Sequence, residues 1–282
     1  MTGPSIDRDA LRQALSTGHW HQRWEVVPGV FTPGHNSVAH LMEAAEVPPD
    51  LTGSRVLDVG TYNGCCAFEC ERRGAKDVMA LDIMNPDRTG FSALREVLGS
   101  NVRYCRTSVY ELDPEQHGVF DLVLFFGVLY HLRYPHLALD RIRTVCRRDL
   151  RVETHVLDGR FAHPRRWARI LGRWAVRAAR PIPLWRQYRA YELHPEDGSN
   201  QLGPNVAAVV ASLTDCGFEA RVLHTRNNRA TLAAEVLPGA ATRVARASYE
   251  ARHPYSARLA GVPLRADPLF DAPGTVVPDQ QP

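Results

Sequence analysis

A chain of 282 residues, 44% of them hydrophobic, can bury a full core and suits one large α/β domain with additions, or two small domains. Its longest apolar run, Leu122–Tyr130, is nine residues, far short of the roughly 20 needed to cross a bilayer, and a net charge of +3 does not by itself imply nucleic acid. Six cysteines, three of them crowded at Cys65, Cys66 and Cys70, do not form the pattern of a secreted disulfide framework.

The first residues, MTGPSIDRDALRQ, lack the apolar core of a secretory leader, so a cytoplasmic protein is expected. Residues 1–54 suggest a helical N-terminal extension that carries an aromatic, histidine-rich patch, His19–His35. From Arg55 the pattern alternates. RVLDVG is a predicted strand, CCAFECERRG a helix closed by Gly74, and DVMALDI a second strand. FSALREVLG gives a helix ending at Gly99, and NVRYCRTSV a third strand. FDLVLFFGVLYH is a buried strand and turn, HLALDRIRTVCRRD a helix, and LRVETHVL a fifth strand. Beyond Pro204, NVAAVVASLTDCGF is a helix stopped by Gly217, and EARVLHTR and ATLAAEVL face each other across Asn227–Asn228, a hairpin signal. Strands alternating with helices of about 10–15 residues imply a parallel sheet with right-handed crossovers. The expected division is an N-terminal cover (1–54), a doubly wound domain (55–237) with an insertion at 157–204, and a partly disordered tail (238–282).

Ligands of such sheets sit beyond the carboxyl ends of the strands, where the strand order reverses. The first strand delivers Asp58, Val59 and Gly60 there, and Gly60 and Gly64 let the backbone turn tightly. The dinucleotide fingerprint GxGxxG needs a glycine where this chain has Tyr62. An acid at Asp58 would repel a pyrophosphate but suits a ligand with an ammonium and a sulfonium, such as S-adenosylmethionine. Asp82, 24 residues beyond Asp58 at the tip of the second strand, is placed to accept from two ribose hydroxyls. The candidate cofactor contacts are therefore Asp58, Gly60, Thr61, Tyr62, Asn63, Gly64, Asp82 and Ile83, with Ser108 and Val109 for the adenine, and Phe126, Gly127 and Val128 beside the methionine part.

VLDVGTYNG, ALDI, TSVYEL and FDLVLFFGVLYHLRYP together resemble a class I S-adenosylmethionine-dependent methyltransferase. GVLYHLRYP, with WHQRWEVVPGVFTPG upstream and SNQLGPNVAAVVASLTDCGF downstream, is similar to the branch that contains the tRNA wobble-uridine carboxymethyltransferase. The resemblance, over about residues 18–236, implies a Rossmann-like seven-stranded sheet with a reversed final strand and an N-terminal cover over the donor. Two departures stand out. Tyr62 replaces the middle glycine of the usual motif, and the lysines that help hold a carboxylated donor are missing, since Lys76 is the only lysine beside 33 arginines. Tyr130 in GVLYH matches a tyrosine that contacts the donor tail in that branch, so the resemblance makes it a cofactor contact; alone it does not imply a carboxylated donor, and ordinary methyl transfer is the expectation.

Methyl transfer needs an aligned acceptor and, for a hydroxyl, a base to remove its proton. The candidate catalytic residues are His131, Tyr130 and His21, with His19 and His35 as alternative bases and Trp20, Trp24 and Phe31 either covering the donor or packing the extension. The insertion holds nine arginines, three tryptophans and no acid between residues 160 and 190. Three readings compete: a helical lid over the acceptor, a site for an acidic acceptor or RNA, and a membrane-surface helix. Candidate acceptor contacts are Trp20, His35, Arg186, Tyr188, Asn200 and Asn205, with Glu192, His194 and Asp197 on the same loop. No metal site is expected, because no second ligand pair accompanies the helix cysteines. The leading expectation is methylation of a sugar or natural-product hydroxyl. The rivals are a tRNA-modifying (carboxy)methyltransferase, a non-catalytic donor-binding protein and, last, a dehydrogenase.

Overall fold

The structure, a computed structural model, describes residues 7–16, 18–158 and 181–237. The expected helix from Pro164 and the expected disordered tail lie outside the described residues. Strands of the central sheet are numbered β1 (Arg55–Val59), β2 (Asp77–Asp82), β3 (Arg103–Arg106), β4 (Phe120–Phe126), β5 (Cys146–His155), β6 (Phe218–Arg226) and β7 (Arg229–Val236). Their order is β6-β7-β5-β4-β1-β2-β3. β1 to β5 run parallel, while β7 enters antiparallel to β5 and pairs with β6 as a hairpin. The order reverses between β1 and β4, so the switch point lies beyond Val59 and Phe126.

β1, β2 and β4 are buried almost end to end, as strands covered by helices on both faces must be. Side-chain alternation splits the core in two. Leu57, Leu81, Val123 and Phe125 meet helices α5 (Pro135–Val145) and α6 (Val206–Asp215). Val56, Ala80, Leu122 and Leu124 meet α3 (Cys65–Arg72), α4 (Phe91–Leu98) and the N-terminal extension. The extension is pinned to α3 by Trp24, whose Nε1 donates to Glu69 at 2.9 Å and whose ring stacks on Phe68.

The hairpin turns on Asn227 and Asn228, at φ +52° and +61°. Two left-handed residues make the turn whose twist matches the strands, and asparagine tolerates that region. Three expectations shift. The extension has the helices α1 (Arg8–Ser16) and α2 (Val38–Ala44), but between them run two small ribbons, 22–23 with 36–37 and 25–27 with 30–31. The fifth strand starts at Cys146, so CRRD is strand and not helix: Arg147 pairs with Asp121 of β4, and sheet pairing overrides the helical pattern. β3 is shorter than read, because Ser108 and Glu111 form a capping box that starts a 3₁₀ turn.

The insertion returns as an antiparallel ribbon, Trp185–Gln187 with Leu202–Pro204. It builds a small third cluster of Tyr130, Leu157, Tyr188 and Leu193 above the ends of β4 and β5.

All six cysteines are free, and only Cys105 is partly exposed. Burial pushes the thiols of Cys65 and Cys146 up to about 12, which removes their thiolate at neutral pH. Titration of the native protein with an aromatic disulfide is expected to find one accessible thiol, Cys105, and the other five only after unfolding. More than one fast thiol would contradict this packing.

Candidate functional site

The loop after β1 is built for close approach. At Gly60, φ is +74°, and a Cβ there would stand 2.2 Å from Val128 Cγ2. Only glycine fits both the torsion and the space. Its N–H donates to Leu81 O on β2 at 2.7 Å. Tyr62 holds φ +47°, so the backbone keeps the left-handed conformation that the missing glycine would have taken, at a cost on the order of 1–3 kcal/mol. Its N–H donates to Asp82 Oδ2 at 2.8 Å, and its ring lies 4.9 Å from that of His21.

Two acids sit at the switch point. Asp58 is 3% exposed and accepts from Thr61 Oγ1 at 2.7 Å. Burial pushes its carboxyl up to about 7, opposed by the Thr61 hydrogen bond and reinforced by the charge of Asp82. Burial also raises the Asp82 carboxyl, against the N–H groups of Met84 and Tyr62 that donate to it. The Ile83 backbone lowers it too, and a carboxylate with about four acceptor positions still has room for a further donor. No ion pair of either acid with a cationic side chain occurs among the described residues. A buried acid kept from its usual state by desolvation is completed by a cationic or hydrogen-bonding ligand. Ile83, which follows Asp82, is 44% exposed, as an apolar cover for a flat ring requires. Val109 is buried, and Ser108 is half-buried with its hydroxyl accepting from Tyr110 N–H. Gly127 takes φ +75° at the end of β4.

Asn63, read as a donor contact, is employed otherwise. Its amide donates to His19 O at 2.9 Å and Thr89 O at 2.6 Å, and its oxygen accepts from His21 N–H. It ties the extension to the loop. Asn205 caps α6, and its side chain is held by Ala208 N, Leu184 N and Ile182 O, so it is no acceptor contact. Trp24 is buried in the core behind the site, whereas Trp20, also largely buried, lines the depression formed by the neighbouring histidines. Tyr188 is also buried, with its hydroxyl 3.0 Å from His155 Nε2. Arg186 is exposed and pairs with Glu192 at 2.5 Å. The Asn200 amide donates to Asp197 O. His19, His21, Trp20 and His35 line an open surface depression of about 360 Å3 on the extension.

Sequence reasoning missed two features. Arg229, at the start of β7, forms a two-pronged ion pair with Glu153 of β5, and its guanidinium lies 4.9 Å over the Tyr130 ring. His131, beside Tyr130, has Nδ1 2.7 Å from Ser199 Oγ on the insertion's return loop. Burial holds its titration below the ordinary histidine range, partly offset by Asp197. No local pattern announces pairs 76 and 68 residues apart. Among the described residues, no group of three or more potential ligands is arranged to hold a metal, and no helix is long and apolar enough to cross a membrane.

Residues 35–194, more than half of the chain, match the family model described as "Methyltransferase domain". The chain belongs to the methyltransferase domain family. The seven-stranded sheet with its antiparallel C-terminal hairpin is the fold that the resemblance to a class I S-adenosylmethionine-dependent methyltransferase implies. Among curated proteins, this methyltransferase is similar to the tRNA U34 carboxymethyltransferase of Dichelobacter nodosus, 38% identical over 39% of this chain and 35% of that one. It is also similar to that of Methylococcus capsulatus, 31% identical over 57% of this chain and 52% of that one. The methyltransferase chain thus aligns with about half or less of these relatives' length. Among solved structures, the N-terminal domain of EvdMO1, determined in the presence of S-adenosylhomocysteine and D-fucose, shares the fold with a TM-score of 0.58 and 22% identity, over 81% of this chain and 96% of that one. An O-methyltransferase family protein from Burkholderia thailandensis follows, with a TM-score of 0.51 and 13% identity over 71% of this chain and 56% of that one.

Proposed function

We propose that this protein methylates a hydroxyl of a small-molecule acceptor, a sugar or natural product, with S-adenosylmethionine as donor and His131 as the base. The observation that carries the donor site is the pair of buried acids, Asp58 and Asp82, which pair with no cationic side chain among the described residues and keep unused acceptor positions. Bound there, S-adenosylmethionine supplies a methyl group already activated on a sulfonium. Asp58 would hold the ammonium, Asp82 the two ribose hydroxyls, and Ile83 and Val109 the adenine. Gly60 gives the chain room to pass close to the ligand. His131 and Tyr130 at the end of β4 would face the acceptor, and the extension, with Tyr62 against His21, would exclude water from it. In this reading the sheet holds the donor, the extension covers it, and the insertion approaches the acceptor.

The relatives that act on tRNA favour a second reading, a tRNA-modifying enzyme that uses a carboxylated donor. Against it, the only guanidinium set against Tyr130 among the described residues is already neutralised by Glu153, and a paired arginine offers little to a further carboxylate. The neighbour solved with D-fucose is in keeping with the sugar class.

Calorimetric titration with S-adenosylhomocysteine tests the donor site. Micromolar binding is expected for the wild type. Asp82→Ala removes two charge-assisted hydrogen bonds, each worth about 1.5–3 kcal/mol, and is expected to weaken binding by about 100-fold or more; NADH is expected not to bind. Tight NADH binding, or an unchanged affinity in Asp82→Ala, would overturn the assignment. A steep salt dependence of binding to tRNA would favour the second reading.

A further inference from the structure

His131 lies in the 3₁₀ turn after β4, and its partner Ser199 comes from the far end of the insertion. Ser199 Oγ donates in turn to Asp197 Oδ1, which also accepts the Ser199 N–H at 2.9 Å. His131 Nδ1 and Asp197 Oδ2 are 4.0 Å apart, too far for a hydrogen bond, so the serine bridges them. One backbone bond holds the two segments together here, from Gln201 N–H to Tyr130 O at 2.9 Å. Within the loop, the Asn200 side-chain amide donates to Asp197 O at 2.9 Å.

A count of protons gives the chain of bonds a direction. Burial would raise the Asp197 carboxyl, but the Ser199 hydroxyl and N–H and the nearby His131 outweigh it and hold it below the ordinary range. It is therefore an ionised acceptor at neutral pH. A serine hydroxyl has one proton, and Asp197 takes that bond. Toward His131 the same oxygen can only accept, so Nδ1 carries the ring hydrogen and Nε2 keeps its lone pair. A base whose far nitrogen is oriented by a third group is the arrangement that nucleophile activation requires.

We propose that Asp197, acting through Ser199, is the positioning residue that holds His131 in the Nδ1–H tautomer and so presents Nε2 as the base. The inference rests on the reading of His131 as base. In the step it serves, Nε2 takes the hydroxyl proton while the acceptor oxygen bonds to the methyl carbon and the carbon–sulfur pair stays on sulfur. The products are a methyl ether, S-adenosylhomocysteine and an imidazolium, which afterwards gives its proton to water. Burial, Arg229 from β7 and His194 from the same loop oppose the imidazolium, whereas Asp197 and the Ser199 backbone favour it without outweighing them. The ring is thereby neutral and ready at pH 7. A base for the sheet's chemistry is thus set by residues outside the sheet.

Nitrogen-15 NMR of the full chain, labelled at histidine and assigned by His131→Gln, decides the matter. Above its titration, wild-type His131 is expected to show a pyrrole-like Nδ1 and a pyridine-like Nε2. Ser199→Ala and Asp197→Asn are expected to shift the signal toward the opposite tautomer, and Ser199→Thr to restore it. Asp197→Asn is also expected to lower the His131 titration midpoint. A pyrrole-like Nε2 in the wild type, or a tautomer unmoved by either variant in a protein with native circular dichroism, overturns the proposal. Titration of the same samples with S-adenosylhomocysteine separates the outcomes. Donor binding with the wrong tautomer sinks the positioning role alone, and a correct tautomer without donor binding sinks the donor site alone.

Discussion

Asp58→Asn is expected to make the protein more stable at pH 8 while it abolishes donor binding. The carboxyl of Asp58 titrates near 7 in the fold, against about 3.9 in an unfolded chain. A raised acid favours the fold fully below the unfolded value, and that contribution is lost as pH rises to the folded value. By pH 8 the ionised, buried carboxylate costs on the order of 2–4 kcal/mol. Asparagine keeps an acceptor for the Thr61 hydroxyl and has no charge to bury. The advantage of the variant in denaturant melts is expected to grow from pH 5 to pH 8. A variant no more stable at pH 8 than at pH 5, relative to wild type, would refute the cause. For the same reason, wild-type affinity for S-adenosylhomocysteine is expected to fall as pH is lowered through about 7, when protonated Asp58 no longer attracts an ammonium. Isothermal titrations at pH 5.5 and 7.5 read this directly, and equal affinities would remove Asp58 from the site.

Asn63→Ala is the second large effect. The side chain is 1% exposed and serves three backbone groups, two carbonyls and one N–H. Truncation leaves them without that partner, at a cost of about 2–5 kcal/mol. The loss is expected to be local. Hydrogen exchange should quicken in residues 18–24 and 86–90, while amides of β1, β4 and β5 keep their protection. Unchanged exchange in the extension would show that its position does not depend on Asn63, but on the Trp24–Glu69 bond, the arginine bonds from α3 and the shared apolar cluster.

The sheet was largely legible because its strands are apolar runs punctuated by glycine, and because Asp58 and Asp82 stand where such runs end. The small ribbons of the extension were not, since strands of two or three residues build no period. Asn63 and Asn205 show a different limit. An asparagine next to a loop or at a helix start looks equally fit for ligand or backbone, and only tertiary proximity decides. Asp197 was visible merely as a polar loop residue, and Ser199 carried no signal of its own. Their relation to His131 arises because the insertion folds back on Tyr130, and nothing near either segment records that return. Arg229 was hidden similarly, reading as a turn residue beside Asn227 and Asn228.

Lys76 is exposed on the turn into β2, whose other end is Asp82. Six residues of extended chain span roughly 20 Å, so this one side-chain amine looks out from the pole opposite the donor. An amine-selective reagent applied to a chain with a blocked N-terminus would couple at that single point. Molecules tethered to a surface in this way would all share one orientation, with the mouth of the site turned toward solution.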